Sequence, residues 1–222
     1  TSVIFVERNK LTKADISHSN RKGYLTSILR THYRQLAIAG SGQLFAQMVR
    51  TGRHIVIPLY ATEIIGLDLK SIGWILSISS FIDMALFYPA GLIMDHQGRK
   101  YASVPSFVLQ AIGLGLVPFT GSFPALLLAS SVVGLGNGLG SGSMMTLGAD
   151  LAPKDSMGEF IGIWRFIGDS GHMSGPIVIG NIADTLSLSE ATFIISGIGI
   201  LAAFIFAFMV PETLRNKTCS RI

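Results

Sequence analysis

The sequence predicts an all-α membrane protein with six transmembrane helices, and three observations support this fold class. Of the 222 residues, 49% are hydrophobic and only 14% are charged. Soluble domains carry about 25% charged residues, so the deficit indicates a chain embedded in lipid. The mean hydropathy is +0.53, which agrees. The third observation is a series of long apolar stretches that short polar connections separate.

Six of these stretches are long enough to cross a bilayer. A hydrocarbon core about 30 Å thick is spanned by roughly 20 apolar residues in an α-helix. The predicted spans are residues 35–62, 71–94, 102–119, 124–149, 159–183 and 189–210. The chain then divides into a basic cytoplasmic arm (1–34), a six-helix transmembrane bundle (35–210) and a cytoplasmic tail (211–222).

The basic residues outside these spans predict the orientation. Thirteen of them fall on the side of the amino-terminal arm, and only Lys70 falls on the other. Since cytoplasmic loops are enriched in Lys and Arg, the arm is expected to be cytoplasmic. An even number of spans then places both termini in the cytoplasm. The membrane is expected to be the plasma membrane.

Three motifs carry a resemblance to a known family. Residues 91–100, GLIMDHQGRK, join the second and third spans. They resemble the signature of the major facilitator superfamily, although His96 stands where a base is expected. Residues 171–180, GHMSGPIVIG, are similar to the Gly-x-x-x-Gly-Pro motif of the family's antiporters. Pro211-Glu212-Thr213 resembles the exit from the last helix of a half.

The resemblance implies that the bundle is one half of a major-facilitator-type carrier. The family's amino-terminal halves often place an arginine before the glycine-rich stretch of their fourth helix, whereas this chain reads Ser131-Val132-Val133-Gly134. The basic arm resembles the loop that links two halves. Both points favour a carboxy-terminal half whose partner is a missing six-helix half, while an amino-terminal half remains the alternative.

The charged turn between the second and third spans has two interpretations. In the first, its charged side chains would pair with neighbouring helix ends and so close the cytoplasmic side of the carrier. Asp150 and Glu159 are the expected acidic partners. Alternatively, the turn only anchors the topology. Its glycines are expected to permit a close helix approach and a tight turn. The members of this gating motif are Gly91, Asp95, Gly98, Arg99 and Lys100.

Polar and ionisable residues inside the spans are the candidate substrate and proton pathway, because such groups are costly in lipid and usually functional. They are Gln47, Arg50, Arg53, Asp83, Asn137, Arg165 and Asp169. Arg165 and Asp169 are spaced to neutralise each other on one helix, and Asp83 is expected to pair with Arg50. A sharper hypothesis makes Asp83 or Asp169 a protonatable carboxylate that exchanges a proton for substrate. Arg50 and Arg53 would then attract an anionic substrate or tune that acid.

Small residues in two spans predict close helix packing. Gly134, Gly138 and Gly142 repeat every four residues along the fourth span. In the fifth span, the motif of Gly171, Gly175, Pro176 and Gly180 predicts a bending point, a leak-preventing seam or a plain packing kink. Trp74 and Trp164, near span ends, are expected in an interfacial aromatic belt.

The function that these features favour is secondary active transport of a small solute by alternating access. The antiporter resemblance favours proton-coupled efflux of a drug or metabolite, with no cofactor beyond a coupling proton. A transporter-like receptor or scaffold that binds a ligand without moving it is the alternative. Enzyme motifs such as HExxH and GxSxG are absent from the sequence, and a single cysteine, Cys219, gives no CxxC metal site. The expected partners are a small molecule, the bilayer and the other half, and not nucleic acid.

Overall fold

The computed structural model describes residues 33–210 and residue 212, and this part of the chain is helical without a strand. Most of the predicted arm and tail therefore lies outside the described residues. Helix α1 is described from residue 33, runs to residue 60 and ends in a π-helical turn at Ala61–Ile65. The other helices are α2 (Leu69–Ala85), α3 (Phe87–His96), α4 (Arg99–Leu116), α5 (Phe123–Leu139), α6 (Ser143–Leu151), α7 (Met157–Thr185) and α8 (Leu188–Phe204). Short turns extend α4 at Val117–Phe119, precede α7 at Lys154–Ser156 and extend α8 at Ile205–Met209.

The all-α membrane class is confirmed. Four helical segments of the described chain are long and apolar enough to cross a membrane, and they are Leu69–His96, Arg99–Phe119, Phe123–Leu151 and Leu188–Met209. Helices α1 and α7 coincide with the first and fifth predicted spans. Both carry several polar side chains, and their crossing of the membrane stays a prediction.

Two of the predicted spans are interrupted. The second is divided at Leu86 into α2 and α3, where the Leu86 N–H donates to the Asp83 carbonyl at 3.2 Å. The fourth is divided between Leu139 and Ser143 into α5 and α6, and Gly142 there has a φ of +76°. Such a φ is accessible to glycine at little cost. Both segments still have the length and hydropathy of single membrane spans, as predicted. The sequence did not foresee the breaks, and the one between α5 and α6 coincides with the glycine conformation at Gly142.

The core of the described chain consists of two large apolar clusters, with polar residues between them, and a small third cluster of Leu36 and Phe160. Helix α4 packs on α5 and α8, α2 packs on α5, and α7 packs on α8. One cluster, which includes Ile75 and Leu126, lies toward the ends of the bundle where α1 joins α2. The other includes Phe107 and Phe206, whose rings stack with centroids 5.4 Å apart. The polar residues of α1, α2 and α5 therefore meet near the middle of the bundle.

The outer surface of the bundle is strongly apolar, as expected for contact with lipid or with a second half. Phe81, Phe166 and Phe208 are each more than 60% exposed. Trp74 is exposed as predicted for an aromatic belt, but Trp164 is only 1% exposed. Its Nε1 donates to the Met144 carbonyl at 3.0 Å, and its ring packs where Gly148 of α6 leaves space. The belt position of Trp164 was therefore wrong.

Candidate functional site

A buried ion pair and a hydrogen bond to the same carboxylate connect three helices in the middle of the bundle. Arg53 Nη2 of α1 lies 3.0 Å from Asp83 Oδ2 of α2, and both side chains are 9% exposed. Asn137 Nδ2 of α5 donates to the same oxygen at 2.7 Å. Isolated charges in a low-dielectric interior are very costly, so each of these groups depends on the others.

Two glycines of α5 bring the helices close enough for this contact. A Cβ at Gly134 would lie 2.5 Å from the Ser79 carbonyl oxygen, and one at Gly138 would lie 2.5 Å from the Asp83 carbonyl oxygen. Any larger residue at these positions would push α5 away from α2. The predicted packing face is present at Gly134 and Gly138, whereas Gly142 lies in the break between α5 and α6.

Arg50 has a different partner from the one predicted. Its Nη2 donates to the Gly140 carbonyl at 2.8 Å, in the break between α5 and α6. The predicted pairing of Asp83 with Arg50 was therefore wrong, and Arg53 takes that place. The reason is that the break exposes a backbone acceptor opposite Arg50, which the sequence alone could not place.

Several buried polar atoms of this region have no hydrogen-bond partner among the described residues. They are Gln43 Oε1, Arg50 Nε, Arg53 Nη1, Asp83 Oδ1, Gln110 Oε1 and Ser130 Oγ. Native structures leave few buried polar groups unsatisfied. Three of the six atoms belong to the charged residues of the cluster, so the described chain does not complete its hydrogen bonding.

A second polar group lies beside this cluster, between α1 and α7. Thr51 Oγ1 lies 2.6 Å from His172 Nδ1, and Arg53 Nε donates to His54 Nε2 at 3.3 Å. His54 and His172 are exposed, and Gln47, one turn before Thr51, is partly buried. Sequence analysis placed Gln47 in the pathway but did not foresee the contact between Thr51 and His172.

The glycine–proline motif of α7 forms the contact with α1. A Cβ at Gly171 would collide with the backbone of Leu44, and one at Gly175 would lie 3.3 Å from the Met48 carbonyl oxygen. Gly180 has open space around it, and α7 runs through Pro176 as one helix. The motif therefore provides a tight α1–α7 seam, while a bending role for it stays a prediction.

Arg165 and Asp169 lie on the exposed surface of α7. No ion pair joins them within the described part of the chain, so their predicted mutual neutralisation was wrong. Arg165 Nη2 instead lies 3.9 Å from Met145 Sδ.

The charged turn forms an ion-pair network at one end of the bundle. Arg99 Nε lies 3.2 Å from Asp150 Oδ2, and Arg99 Nη1 lies 3.1 Å from Asp95 Oδ1. The expected contact between Arg99 and Asp150 is present, so the start of α4 is tied to the end of α6. Glu159, the other expected partner, makes no ion pair within the described residues. Gly91 has nothing within 4 Å of its missing side chain, so the close approach expected there is not seen.

Glu212 is the residue of this network that sequence analysis missed as a site. Its carboxylate accepts hydrogen bonds from the backbone N–H groups of Arg99 and Lys100, each at 3.0 Å, and so caps the start of α4. Lys100 Nζ donates in turn to the Ala207 carbonyl at 3.0 Å. Gly98 has a φ of +120°, and a Cβ there would lie 2.7 Å from the Glu212 carboxylate. The sequence feature that could have identified Glu212 is an acidic residue directly after the last apolar stretch, on the same predicted side of the membrane as the loop with two basic residues.

These groups place charge and unused hydrogen-bonding capacity inside the bundle. Within the described residues, no group of three or more His, Cys, Asp and Glu side chains is placed to hold a metal ion. The arrangement is a buried polar cluster between helices.

Comparison with known proteins agrees with this geometry. The family model of the Major Facilitator Superfamily matches residues 39–220. An uncharacterised MFS-type transporter of Methanocaldococcus jannaschii is 23% identical over 80% of this chain and 46% of its own length. The multidrug resistance protein MdtH of Aeromonas hydrophila is 24% identical over 67% of this chain and 36% of its own length. The niacin transporter NiaP of Acinetobacter baylyi is 27% identical over 82% of this chain and 41% of its own length.

Solved structures share the fold. A POT peptide transporter crystallised with alafosfalin superposes with a TM-score of 0.71 at 17% identity, over 82% of this chain and 39% of that one. A POT family transporter with a thioalcohol-conjugated peptide gives a TM-score of 0.70 at 16% identity, over 82% and 39% of the two chains. The chain thus spans less than half of the length of each of these relatives. With the family model matched over most of its length, the chain belongs to the major facilitator superfamily.

Proposed function

We propose that this chain contributes one half of a secondary transporter that moves a small solute by alternating access, coupled to protons and in the direction of efflux. The observation that carries the proposal is the buried cluster of Arg53, Asp83 and Asn137. Charged groups inside a membrane bundle usually mark substrate or proton pathways. This cluster also lies where two helices are broken.

Asp83 is the proposed proton carrier. Its Oδ2 accepts hydrogen bonds from both Arg53 and Asn137, while its Oδ1 is buried without a hydrogen-bond partner among the residues that the structure describes. Protonation would remove the charge that holds Arg53 but leave a group able to hydrogen-bond Asn137. Since Asp83 lies three residues before the α2–α3 break and Asn137 lies at the end of α5, a proton would change how two broken helices are held together. Asp169, the other candidate, is exposed on α7 and lacks such a connection.

The charged turn is the proposed cytoplasmic gate. Arg99 and Glu212 connect the start of α4 to the end of α6 and to the residues that follow α8. These contacts hold three helix ends together and would favour the state that is closed on this side. In the topology-anchor interpretation the same bases only set orientation.

The remaining parts of the proposal concern the whole carrier. We infer that a second six-helix half completes the site, because this chain covers less than half of its relatives. Inverted or repeated halves that rock about a central site are the usual architecture of such carriers. The excess of bases on one side supports cytoplasmic termini, and a plasma-membrane location is proposed with it.

Similarity to a multidrug resistance protein and to a niacin transporter supports a small organic solute, and the former supports efflux. The resemblance of residues 171–180 to the family's antiporters favours exchange of that solute for a proton. Both points concern the carrier as a whole.

A vesicle assay tests the proposal. The protein of native length is reconstituted in liposomes that contain a pH-sensitive dye. Ethidium and radiolabelled nicotinate serve as the transport probes. Transport of a probe across the liposome membrane should be accompanied by proton movement, which the dye reports as a pH change. Asp83→Asn should abolish proton-driven accumulation while leaving probe-for-probe exchange, and Asp169→Asn should retain coupling. Proton-driven accumulation that persists in Asp83→Asn would contradict the assignment. Probes that bind without crossing would favour the receptor alternative.

A further inference from the structure

The buried cluster carries one more positive charge than negative charge. Arg50 and Arg53 of α1 both interact electrostatically with Asp83, and Asp83 is the one acid in this group of three. Arg53 is in ion-pair contact with Asp83, whereas Arg50 forms no ion pair within the described residues. An arginine inside a membrane bundle without a counter-ion is costly, so the cluster is electrostatically incomplete.

Arg50 is held in place with part of its guanidinium unused. Nη2 donates to the Gly140 carbonyl at 2.8 Å, while Nε is buried without a hydrogen-bond partner in the described part of the chain. The Gly140 carbonyl also accepts the N–H and the hydroxyl of Ser143, at 3.2 and 2.7 Å. Because that oxygen has two lone pairs and already three donors, it cannot satisfy Arg50 further. A free guanidinium donor therefore remains beside the start of α6.

The surroundings favour an anion at this position. Helix α6 begins at Ser143, and the amino-terminal end of a helix carries a partial positive charge. Arg53 also has a buried nitrogen, Nη1, that lacks a hydrogen-bond partner among residues 33–210 and residue 212. An anion is therefore favoured by three features: two unused arginine donors, one excess positive charge and the amino-terminal end of a helix. A cation would meet repulsion from all three.

We propose that Arg50 binds the carboxylate of a small organic monoanion and that this anion is the transported substrate. The size of the charge excess selects a monoanion, because a single negative charge neutralises the cluster whereas a dianion would reverse its sign. The planar fork of a guanidinium matches a carboxylate geometrically. The proposal rests on the proposed function for the carrier and for Asp83 as the proton site, and it adds the chemical class of the substrate.

The same charges set the sign of the coupling. Protonation of Asp83 raises the charge of the cluster from +1 to +2 and so strengthens the binding of an anion. Proton and substrate then favour each other, as reciprocal linkage requires. For an anionic substrate this linkage favours movement together with the proton, so it replaces the proton-for-solute exchange that the antiporter resemblance favours. The other titratable groups nearby are His54 of α1 and His172 of α7.

Binding of three probes of similar shape and different charge tests the proposal. Benzoate, neutral benzamide and cationic benzylamine are titrated by calorimetry into the protein of native length in lipid nanodiscs. We expect binding of benzoate with little binding of the other two. Arg50→Gln should weaken benzoate binding at least tenfold, Arg50→Lys should weaken it less, and the exposed Lys70→Gln should leave it unchanged. Equal affinity for benzamide or benzylamine, absent benzoate binding, or full affinity in Arg50→Gln would overturn the proposal.

The Asp83→Asn variant, which lacks the negative charge of the acid, tests the sign of the coupling. It should bind benzoate more tightly than the wild type at the same pH, whereas the double variant His54→Gln and His172→Gln should bind benzoate as the wild type does. Equal or weaker benzoate binding by Asp83→Asn contradicts the coupling. Proton-linked ethidium flux without benzoate binding refutes only this inference, whereas benzoate binding through Arg50 without any flux refutes only the transport function.

Discussion

The ion pair between Arg53 and Asp83 should contribute strongly to the stability of the bundle. Asp83→Asn keeps the shape of the side chain and both hydrogen bonds to Oδ2, so the change removes mainly the charge. Two unit charges about 4 Å apart attract by about 4 kcal/mol at an effective dielectric constant of about 20. Removing one partner of a buried pair costs about 3–5 kcal/mol. We expect Asp83→Asn to lower the free energy of unfolding by about 3 kcal/mol, because the retained hydrogen bonds place it at the low end.

A double-mutant cycle separates the pair from other effects of each substitution. Arg53→Gln should cost a similar amount, and the double variant should cost about 2 kcal/mol less than the sum, because the interaction between the two side chains is lost only once. Reversible unfolding by SDS in mixed micelles, followed by far-ultraviolet circular dichroism, measures all four proteins. Asp169→Asn is the matched control and should change stability by less than about 0.5 kcal/mol, since its side chain is exposed. Additive costs, or an Asp83→Asn variant as stable as the control, would refute the reasoning.

Two further predictions concern helix packing and the charged turn. Gly138→Ala places a Cβ 2.5 Å from the Asp83 carbonyl oxygen and should cost about 2 kcal/mol in the same unfolding assay. Gly162→Ala in α7, where nothing lies within 4 Å, should be neutral or stabilising by about 0.5 kcal/mol. Arg99→Glu places a third acid beside two aspartates and should abolish flux of the transported probe while insertion, followed by cysteine labelling of the loops, stays normal. Lys154→Glu, a reversal outside the motif, should retain flux; equal flux in both variants would leave Arg99 only a topological role.

The predicted α-helical membrane class and the positions of the helices follow from local composition. Apolar stretches of sufficient length must satisfy their backbone hydrogen bonds internally in lipid, so they form helices wherever they occur. The placement of Arg99 near Asp150 was also predictable, because short turns and span ends on one side of a membrane must lie close to one another. The interruption of two spans was not predictable in the same way. Leucine is compatible with a continuous helix, and the many glycines of the fourth span do not indicate which of them adopts a positive φ.

What the sequence determined by itself is the membrane class, the order of the helices and the set of ionisable residues held among apolar ones. Hydropathy and charge are properties of neighbouring residues, so a linear chain is sufficient to reveal them. Only the tertiary structure decided that Asp83 pairs with Arg53, that Arg50 faces the carbonyl of Gly140, and that Glu212 caps α4. Each of these contacts joins residues at least 30 positions apart, and each depends on helix rotation and on where a helix breaks. Rotation and breaks are set by packing among all the helices, which no single segment of the chain contains.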